Sequence, residues 1–359
     1  MGTTTKSSSK RRSFTVKIKF ERTTNPAIIQ TFKANYRFSN GVDKDTININ
    51  KHSLNISGTR SGKPDFKEIF INHKSEIYFQ IIKSVCYYYI SSGHYTPIIE
   101  ISAASDSDNE IKFSKKDINQ ISSVLADFSQ LKNLKTNKIK VIFNGNECGN
   151  SYLYALTNIL RALCLENAYD SFEKLWKAYN SIFKIESNQD QDKKGLIYMR
   201  GQIMAQSHRF PLSLNFVSKL TTEVIQKHTQ WFTMLSKEYA QKPVADFLGW
   251  INRNNDHRIS DLTLPNICLT KTFWDGHSNE KTAAIQHINT TSHSINDAHV
   301  LATLCNFHMY FLRNTSIHGE KSDSAFRFIP LNKEHEGVKW CNSLLLLYII
   351  DLVNSHSFT

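Results

Sequence analysis

The amino-acid sequence predicts an α+β N-terminal domain followed by an all-α helical bundle. Three observations carry that expectation. Apolar and polar residues alternate strictly from Phe14 to Phe20, and similar short runs recur as far as Ile71, which is the mark of half-buried strands. After Gly145 the alternation vanishes and apolar residues recur three and four apart, the spacing of one helical face. The charge changes at the same place: residues 1–146 hold 23 Lys and Arg against 12 Asp and Glu, whereas residues 147–359 hold 21 against 20.

Residues 1–13 are polar, lack a hydrophobic period and carry Lys10, Arg11 and Arg12, so a disordered basic arm is expected there. Within residues 14–146, strands are expected at Phe14–Phe20, Thr31–Phe38, Thr46–Asn50, Ser53–Ser57 and Glu68–Ile71, punctuated by Asn40-Gly41, Ser57-Gly58 and Ser61-Gly62. Ile77, Ile81, Ile82, Val85, Tyr88 and Tyr89 place a helix over 75–91, and Pro97 to Ile101 resumes strand character. Asp106 to Asn109 reads as a turn. Ser114 with Asp117 makes a capping box for a helix running to about Leu134, and Ile139 to Phe143 reads as one more strand. The result is one sheet packed by two helices. Its basic surplus suits an acidic partner such as nucleic acid, and a basic solvated surface accounts for it equally well.

In residues 147–359, helical spacing covers 150–165, 169–185, 211–240, 296–313 and 338–354, and a bundle is the simplest way to bury those faces. The polar stretch 250–294, with Pro265 and a Gly276-His277-Ser278-Asn279 turn, reads as an inserted loop region. The formal net charge is +12, hydrophobic residues make up 40% and charged residues 21%, a composition that excludes wholesale disorder and fibrous repeats. Leu344 to Ile350 is far short of the roughly 20 apolar residues that span a bilayer, and the N-terminus lacks a signal-peptide core, so no membrane association and a cytoplasmic location are expected. No C-x-x-C pair occurs among Cys86, Cys148, Cys164, Cys268, Cys305 and Cys341. Four of them, Cys86, Cys164, Cys305 and Cys341, sit in apolar helical segments, which favours buried thiols over disulfides or zinc.

The segment with chemical promise is Leu312-Arg313-Asn314-Thr315-Ser316-Ile317-His318-Gly319-Glu320-Lys321. An Arg-x4-His spacing is weak by itself, so context decides. Gly319 is placed to end an amphipathic helix, which sets Arg313 and His318 near a helix end. On an ideal helix Asn314 and His318 share a face while Arg313 converges on them only if the helix loosens before Gly319. The inert alternative for His318 is a histidine bonding the last carbonyls, and for Asn314 a plain surface residue. Competing constellations are poorer. Arg253 to His257 has three intervening residues in a polar stretch, Cys305-x-x-His308 lacks a second pair, and His287, His293 and His299 recur every six residues, which suits no helical face.

The Arg313 to Lys321 segment, together with Leu175-Trp176-Lys177-Ala178-Tyr179-Asn180-Ser181-Ile182-Phe183 on an earlier helix, resembles the HEPN family. Its nuclease members carry an Arg, a polar residue and a His four to six positions on. The resemblance implies a metal-independent endoribonuclease with no cofactor, in which Arg313, His318 and Asn314 are catalytic and Lys321 and Asn180 touch substrate. Trp176, Tyr179 and Phe183 are expected in the core. It also implies RNA as substrate and a homodimer that brings two Arg and His pairs into one cleft. The chemistry is coherent, because the RNA 2′-hydroxyl is an internal nucleophile that needs a proton acceptor, a donor for the leaving 5′-oxygen and a cation beside the phosphorane. Histidine titrates near neutrality, and arginine presents a fixed planar fork to phosphate oxygens. A β-rich region ahead of such a domain is similar in layout to RNase LS-type phage-responsive toxins. That likeness implies a bacterial toxin or anti-phage effector, with an antitoxin or phage-derived trigger as partner. The other reading is a catalytically silent HEPN-like module that dimerises or binds a nucleotide or nucleic acid as a sensor.

Overall fold

The alternation that opens the chain becomes the centre of a sheet. In the computed structural model, which describes residues 11–23, 29–36, 39, 43–72, 74–106, 108–122, 126–235, 241–269, 278–291, 293–317 and 333–358, strand β1 spans Arg12–Phe20. It is followed by β2 (Gln30–Ala34), β3 (Asp45–Asn50) and β4 (Ser53–Arg60). Helices α1 (Phe66–Ile71) and α2 (Glu76–Ser92) come next, then β5 (Ile98–Ser105) and β6 (Asp108–Ser114). All pairings are antiparallel, in the order β2-β3-β4-β1-β5-β6. Phe14, Val16, Ile18 and Phe20 are each 2% exposed or less, and the register sets Val16 opposite Ile56 and Ala103, so one sheet face is apolar across its width. Each such side chain contributes roughly 1.5–3 kcal/mol relative to remaining in water.

Helix α2 covers that face. The Tyr88 ring stacks on Phe20 with centroids 3.7 Å apart, and the hydroxyls of Tyr87, Tyr88 and Tyr89 reach Gln30 Oε1, Lys51 O and Thr96 O, so the buried phenols remain hydrogen-bonded. Gly93 ends α2 at φ +64, a left-handed conformation that costs glycine nothing. Asp45, fully buried, accepts both arms of Arg60 at 2.7 Å and the Gln80 amide at 3.1 Å. A Cβ on Gly58 would sit 2.0 Å from Asp45 Oδ1, so only glycine lets the two strands close around that carboxylate. The opposite face of the sheet is polar, with Thr15, Lys17 and Lys33 exposed.

Four local expectations are overturned here. Arg11 to Ser13 do not belong to a disordered arm: β1 begins at Arg12, paired with Arg60, and Arg11 is held by Asp43 and Tyr36. Glu68–Ile71 is helical, because the Asp65 side chain accepts the Lys67 and Glu68 N–H groups and nucleates α1. The Ser114–Asp117 capping box exists but opens only a short 3₁₀ turn at Lys115–Asp117, with another at Ser129–Asn133 in place of a helix to Leu134. Ile139–Phe143 is no strand. Helix α3 (Thr136–Ile139) runs into a 3₁₀ turn, Lys140–Phe143, whose Val141, Ile142 and Phe143 are buried.

Helix α4 (Glu147–Ala162) packs on α2 and on that 3₁₀ turn. A Cβ at Gly149 would lie 2.4 Å from Asn144 O, which measures how closely they approach. The chain therefore divides after Cys164, not at 146/147: α4 belongs to the first compact unit, as do Ser357 and Phe358, and the second unit is Leu165–His356.

In the second unit, α5 (Ala168–Ser187) packs against α6 (Asp192–Ala205). Then come α7 (Pro211–Val217), α8 (Thr222–His228), α9 (Trp231–Leu235), α10 (Gln241–Ile251), α11 (His257–Leu269) and α12 (Ser278–Thr290). The stretch 250–294 is thus largely helical where described, not loop; α10 and α11 both pack against α12, which gives these weakly patterned helices a surface to bury. Helix α13 (Asp297–Thr303) continues through a π-helical turn, Leu304–His308, into α14 (Met309–Ile317), and α15 (Lys333–Ser355) closes the unit. Helix α15 lies along α5, α13 along α6, and α14 against α5, so these four rods form the bundle centre. Trp176, Tyr179 and Phe183 are 3%, 0% and 0% exposed, as expected of core residues. Cys86, Cys305 and Cys341 are buried free thiols, while Cys164 is only half-buried in the turn after α4. Among the described residues no helix is long and apolar enough to cross a membrane.

Candidate active site at the end of helix α14

The rod that carries the Arg313 segment is anchored at both ends of its first half. Asn296 caps α13 by accepting the His299 N–H at 3.0 Å and donates its own N–H to Asp256 Oδ2 at 2.6 Å. Arg258 bridges Asp256 and Asp297 at 2.7 Å each, which ties the start of the rod to the start of α11. At the π-helical turn the Tyr179 hydroxyl donates to Asn306 Oδ1 at 2.6 Å, and Asn306 Nδ2 donates to Ala302 O at 3.2 Å. Tyr179 and Asn306 are 0% and 1% exposed, so this polar contact fixes the rod against α5 from inside the core.

Beyond the turn, Met309, Phe311, Leu312 and Thr315 are buried while Arg313 and Asn314 are half-buried on the edge of α14. Arg313 Nη1 donates to Asn314 Oδ1 at 2.8 Å. Its Nη2 lies 4.0 Å from Asp192 Oδ2, with both side chains 24% exposed. Arg313 Nε is buried without a hydrogen-bond partner among the described residues. Asp192, the first residue of α6, is also 3.6 Å from Lys184 Nζ, so one carboxylate is shared between two cations. Among the described residues the guanidinium has donors left over, and at 24% exposure it reaches solvent, which is what an anion-recognising fork requires.

Arg313 and Asn314 are therefore brought together, whereas His318 and Lys321 lie outside the described residues. Asn180 is half-buried on α5, and its Oδ1 has no hydrogen-bond partner among the described residues, Arg313 and Asn314 included. The Trp176 indole N–H is likewise buried and unpaired, with its ring 6.1 Å from Tyr310. Asp192 has no counterpart in the sequence reading. It follows a turn of Asn, Gln and Asp residues and looks like an ordinary helix-start carboxylate, a pattern that says nothing about a partner on a distant helix.

The other edge of α14 borders a cavity of about 350 Å³ whose lining includes His228, Trp231, His308, Leu312 and Cys341. The Gln230 N–H donates to His308 Nε2 at 3.0 Å, so the proton of the neutral ring sits on Nδ1 and faces Cys341 Sγ at 3.9 Å. Burial pushes His308 down to about 4 and the Cys341 thiol up to about 12. The pair is a neutral imidazole beside a thiol. It lacks the thiolate character of a nucleophilic Cys–His dyad. Cys305 is also buried and does not join His308 in a metal site, and among the described residues no group of His, Cys, Asp and Glu could hold a metal ion. His299, 1% exposed beside Trp250, has both ring nitrogens unpaired among the described residues, and burial holds it near 4 as well. Neither buried histidine can shuttle protons at neutral pH.

Compared with known protein families, with characterised proteins and with solved structures, the chain matches none.

Proposed function

We propose that the chain is a metal-independent endoribonuclease of HEPN type, acting as a homodimer in a bacterial toxin or anti-phage role. The observation that carries this reading is the Arg313 guanidinium: partly exposed at the end of a bundle helix, hydrogen-bonded to Asn314, and left with unused donors among the described residues. His318 follows directly on Ile317, the last described residue of α14. In the proposed mechanism Arg313 steadies the phosphorane through its planar fork and Asn314 holds that fork in place. His318 takes the 2′-hydroxyl proton, and its mate from the second subunit donates to the leaving 5′-oxygen. RNA cleavage by this route needs only these side chains, because the nucleophile belongs to the substrate.

The test is expression of the wild-type chain beside His318→Ala and Arg313→Ala, with growth and total RNA followed in each. Wild type should cleave RNA to products ending in a 2′,3′-cyclic phosphate and leave DNA intact. Each variant should lose roughly 10²–10⁴-fold in rate while keeping its helical circular dichroism. Full activity in His318→Ala would place the chemistry elsewhere. Light scattering should give a dimer, and a monomer that still cleaves would remove the two-subunit site.

A second reading, the catalytically silent sensor, is favoured by one feature. Asp192 already stands near the Arg313 fork, so an arriving phosphate must compete with a resident carboxylate.

A further inference from the structure

Helices α2 and α4 of the first unit lie side by side and flank an open cavity of about 450 Å³. That volume lies within the range of small-molecule sites, roughly 300–1,000 Å³. Phe79, Ile82 and Leu153 make its walls largely apolar, with the half-exposed Tyr154 among them. One charged group stands out against that lining. Lys83, in the middle of α2, is only 4% exposed and borders the cavity, yet it makes no hydrogen bond or ion pair with any described residue.

A buried ammonium ordinarily sits on a carboxylate, because burial strips it of water and leaves its charge without a counterpart. The acidic groups that act on Lys83 at longer range are Glu76 and Asp45. Asp45 is held on both oxygens by Arg60 and by Gln80, so its charge is already neutralised at close quarters. Glu76 also borders the cavity, two turns back on the same face of α2, and attracts Lys83 more than Asp45 does, but makes no ion pair with it. Desolvation outweighs both and lowers the amine below its ordinary value, which marks the charge as under-compensated.

Residues from a second element complete the lining. Gly145 borders the cavity immediately before Asn146, the N-cap of the 16-residue helix α4. Asn150, one turn into α4, adds an amide to the lining.

We propose that this cavity is a binding site for a small organic carboxylate, with the carboxylate seated on Lys83 and an apolar body along Phe79, Ile82 and Leu153. A single ammonium matches a single negative charge, and the apolar walls match a hydrocarbon or aromatic body better than a naked inorganic anion. The site stands in the first unit and is independent of Arg313.

Isothermal titration of the full chain with octanoate, octanamide and inorganic phosphate tests it. Octanoate should bind, octanamide should bind at least tenfold more weakly, and phosphate should not displace octanoate. Lys83→Met, which keeps the stem and removes the charge, should weaken octanoate at least tenfold with unchanged circular dichroism. Reductive methylation followed by mass spectrometry gives a readout without a variant. Octanoate should slow modification of Lys83 while leaving the exposed Lys67 unaffected. No heat at millimolar octanoate, equal affinity for octanamide, displacement by phosphate, or equal methylation of Lys83 with and without octanoate would each overturn the proposal.

Discussion

Lowering the pH from 7 to 5 should destabilise the second unit by about 4 kcal/mol, through His308 and His299. Both are buried, 2% and 1% exposed, and held at about 4 against an ordinary value of 6.5. Well above pH 6.5 each ring is neutral whether the chain is folded or not, so neither affects stability. Between 6.5 and about 4 the unfolded chain takes up protons that the folded chain refuses, and stability falls with pH. At pH 5 the unfolded ring is favoured by about 2 kcal/mol per histidine, and over the whole window by about 3 kcal/mol each, at 1.36 kcal/mol per pKa unit. That is a large part of the roughly 5–15 kcal/mol that holds a domain together. His228, also lowered by burial but half-exposed, adds a smaller amount in the same direction. The carboxylate of Asp256, although buried, is kept below its ordinary 3.8 by Arg258 and the Asn296 N–H, so its contribution is lost only in stronger acid. The assay is selective because all five tryptophans lie between residues 165 and 356, so their fluorescence in urea reports the second unit alone. The steepest dependence should correspond to about two protons, and His308→Gln should reduce it to about one. A urea midpoint unchanged between pH 7 and 5, or an unaltered slope in the variant, would refute the assignment of neutral buried rings.

Three further outcomes are expected. Tyr179→Phe strands the buried Asn306 oxygen at a cost of roughly 1–3 kcal/mol. At 2–4 °C per kcal/mol for a domain of this size, calorimetry should show Tm lower by about 2–12 °C. Tyr179→Phe with Asn306→Leu should cost less than the sum of the two single changes. Asp192→Asn removes the carboxylate beside Arg313, and since a half-exposed pair is worth at most about 1 kcal/mol, RNA affinity in a filter-binding assay should rise by up to about fivefold; weaker binding would mean Asp192 positions Arg313 for the substrate. If the open sheet face carries RNA, Lys17→Ala and Lys33→Ala should each lower the slope of log affinity against log salt by about 1, whereas unchanged slopes would make that face merely solvated.

Periodicity made the long elements legible. Phe14 to Phe20, the 75–91 helix and the 169–185 helix were readable because each pairs an apolar stripe with a polar one, and burial follows the stripe. What failed was short and context-bound. Glu68–Ile71 has a strand-like composition, but one Asp65 side chain satisfying two N–H groups decides for a helix. Ile139–Phe143 is apolar in the manner of a strand, yet those residues fill the space under α4, where close approach at Gly149 leaves no room for a paired strand. The polar 250–294 stretch hid α11 and α12, since the cues there were Pro265 and Gly276, and tertiary packing outweighs local propensity. At the candidate site, neighbours in sequence were legible and neighbours in space were not. Arg313 and Asn314 adjoin in the chain, while Asp192 and Tyr179 reach the same rod from other helices. Lys83 escaped notice for the same reason, as one lysine on an otherwise ordinary amphipathic helix.

The π-helical turn at Leu304–His308 makes the length of one segment a coordinate of the site. Each helical residue turns its successors by about 100°, and a π turn amounts to a single extra residue absorbed without breaking the rod. Deleting one residue there would let the rod relax into uniform α-helix with Arg313 and Asn314 still facing Asp192, whereas deleting one from α13 with the turn kept would swing them by about 100° and set Arg313 where the buried Leu312 now lies. Substitutions along α13 can be absorbed by repacking, but an insertion or deletion cannot, since it changes phase rather than contacts. Outside the π turn, the chain between Asn296 and Arg313 should therefore tolerate changes of residue far better than changes of count.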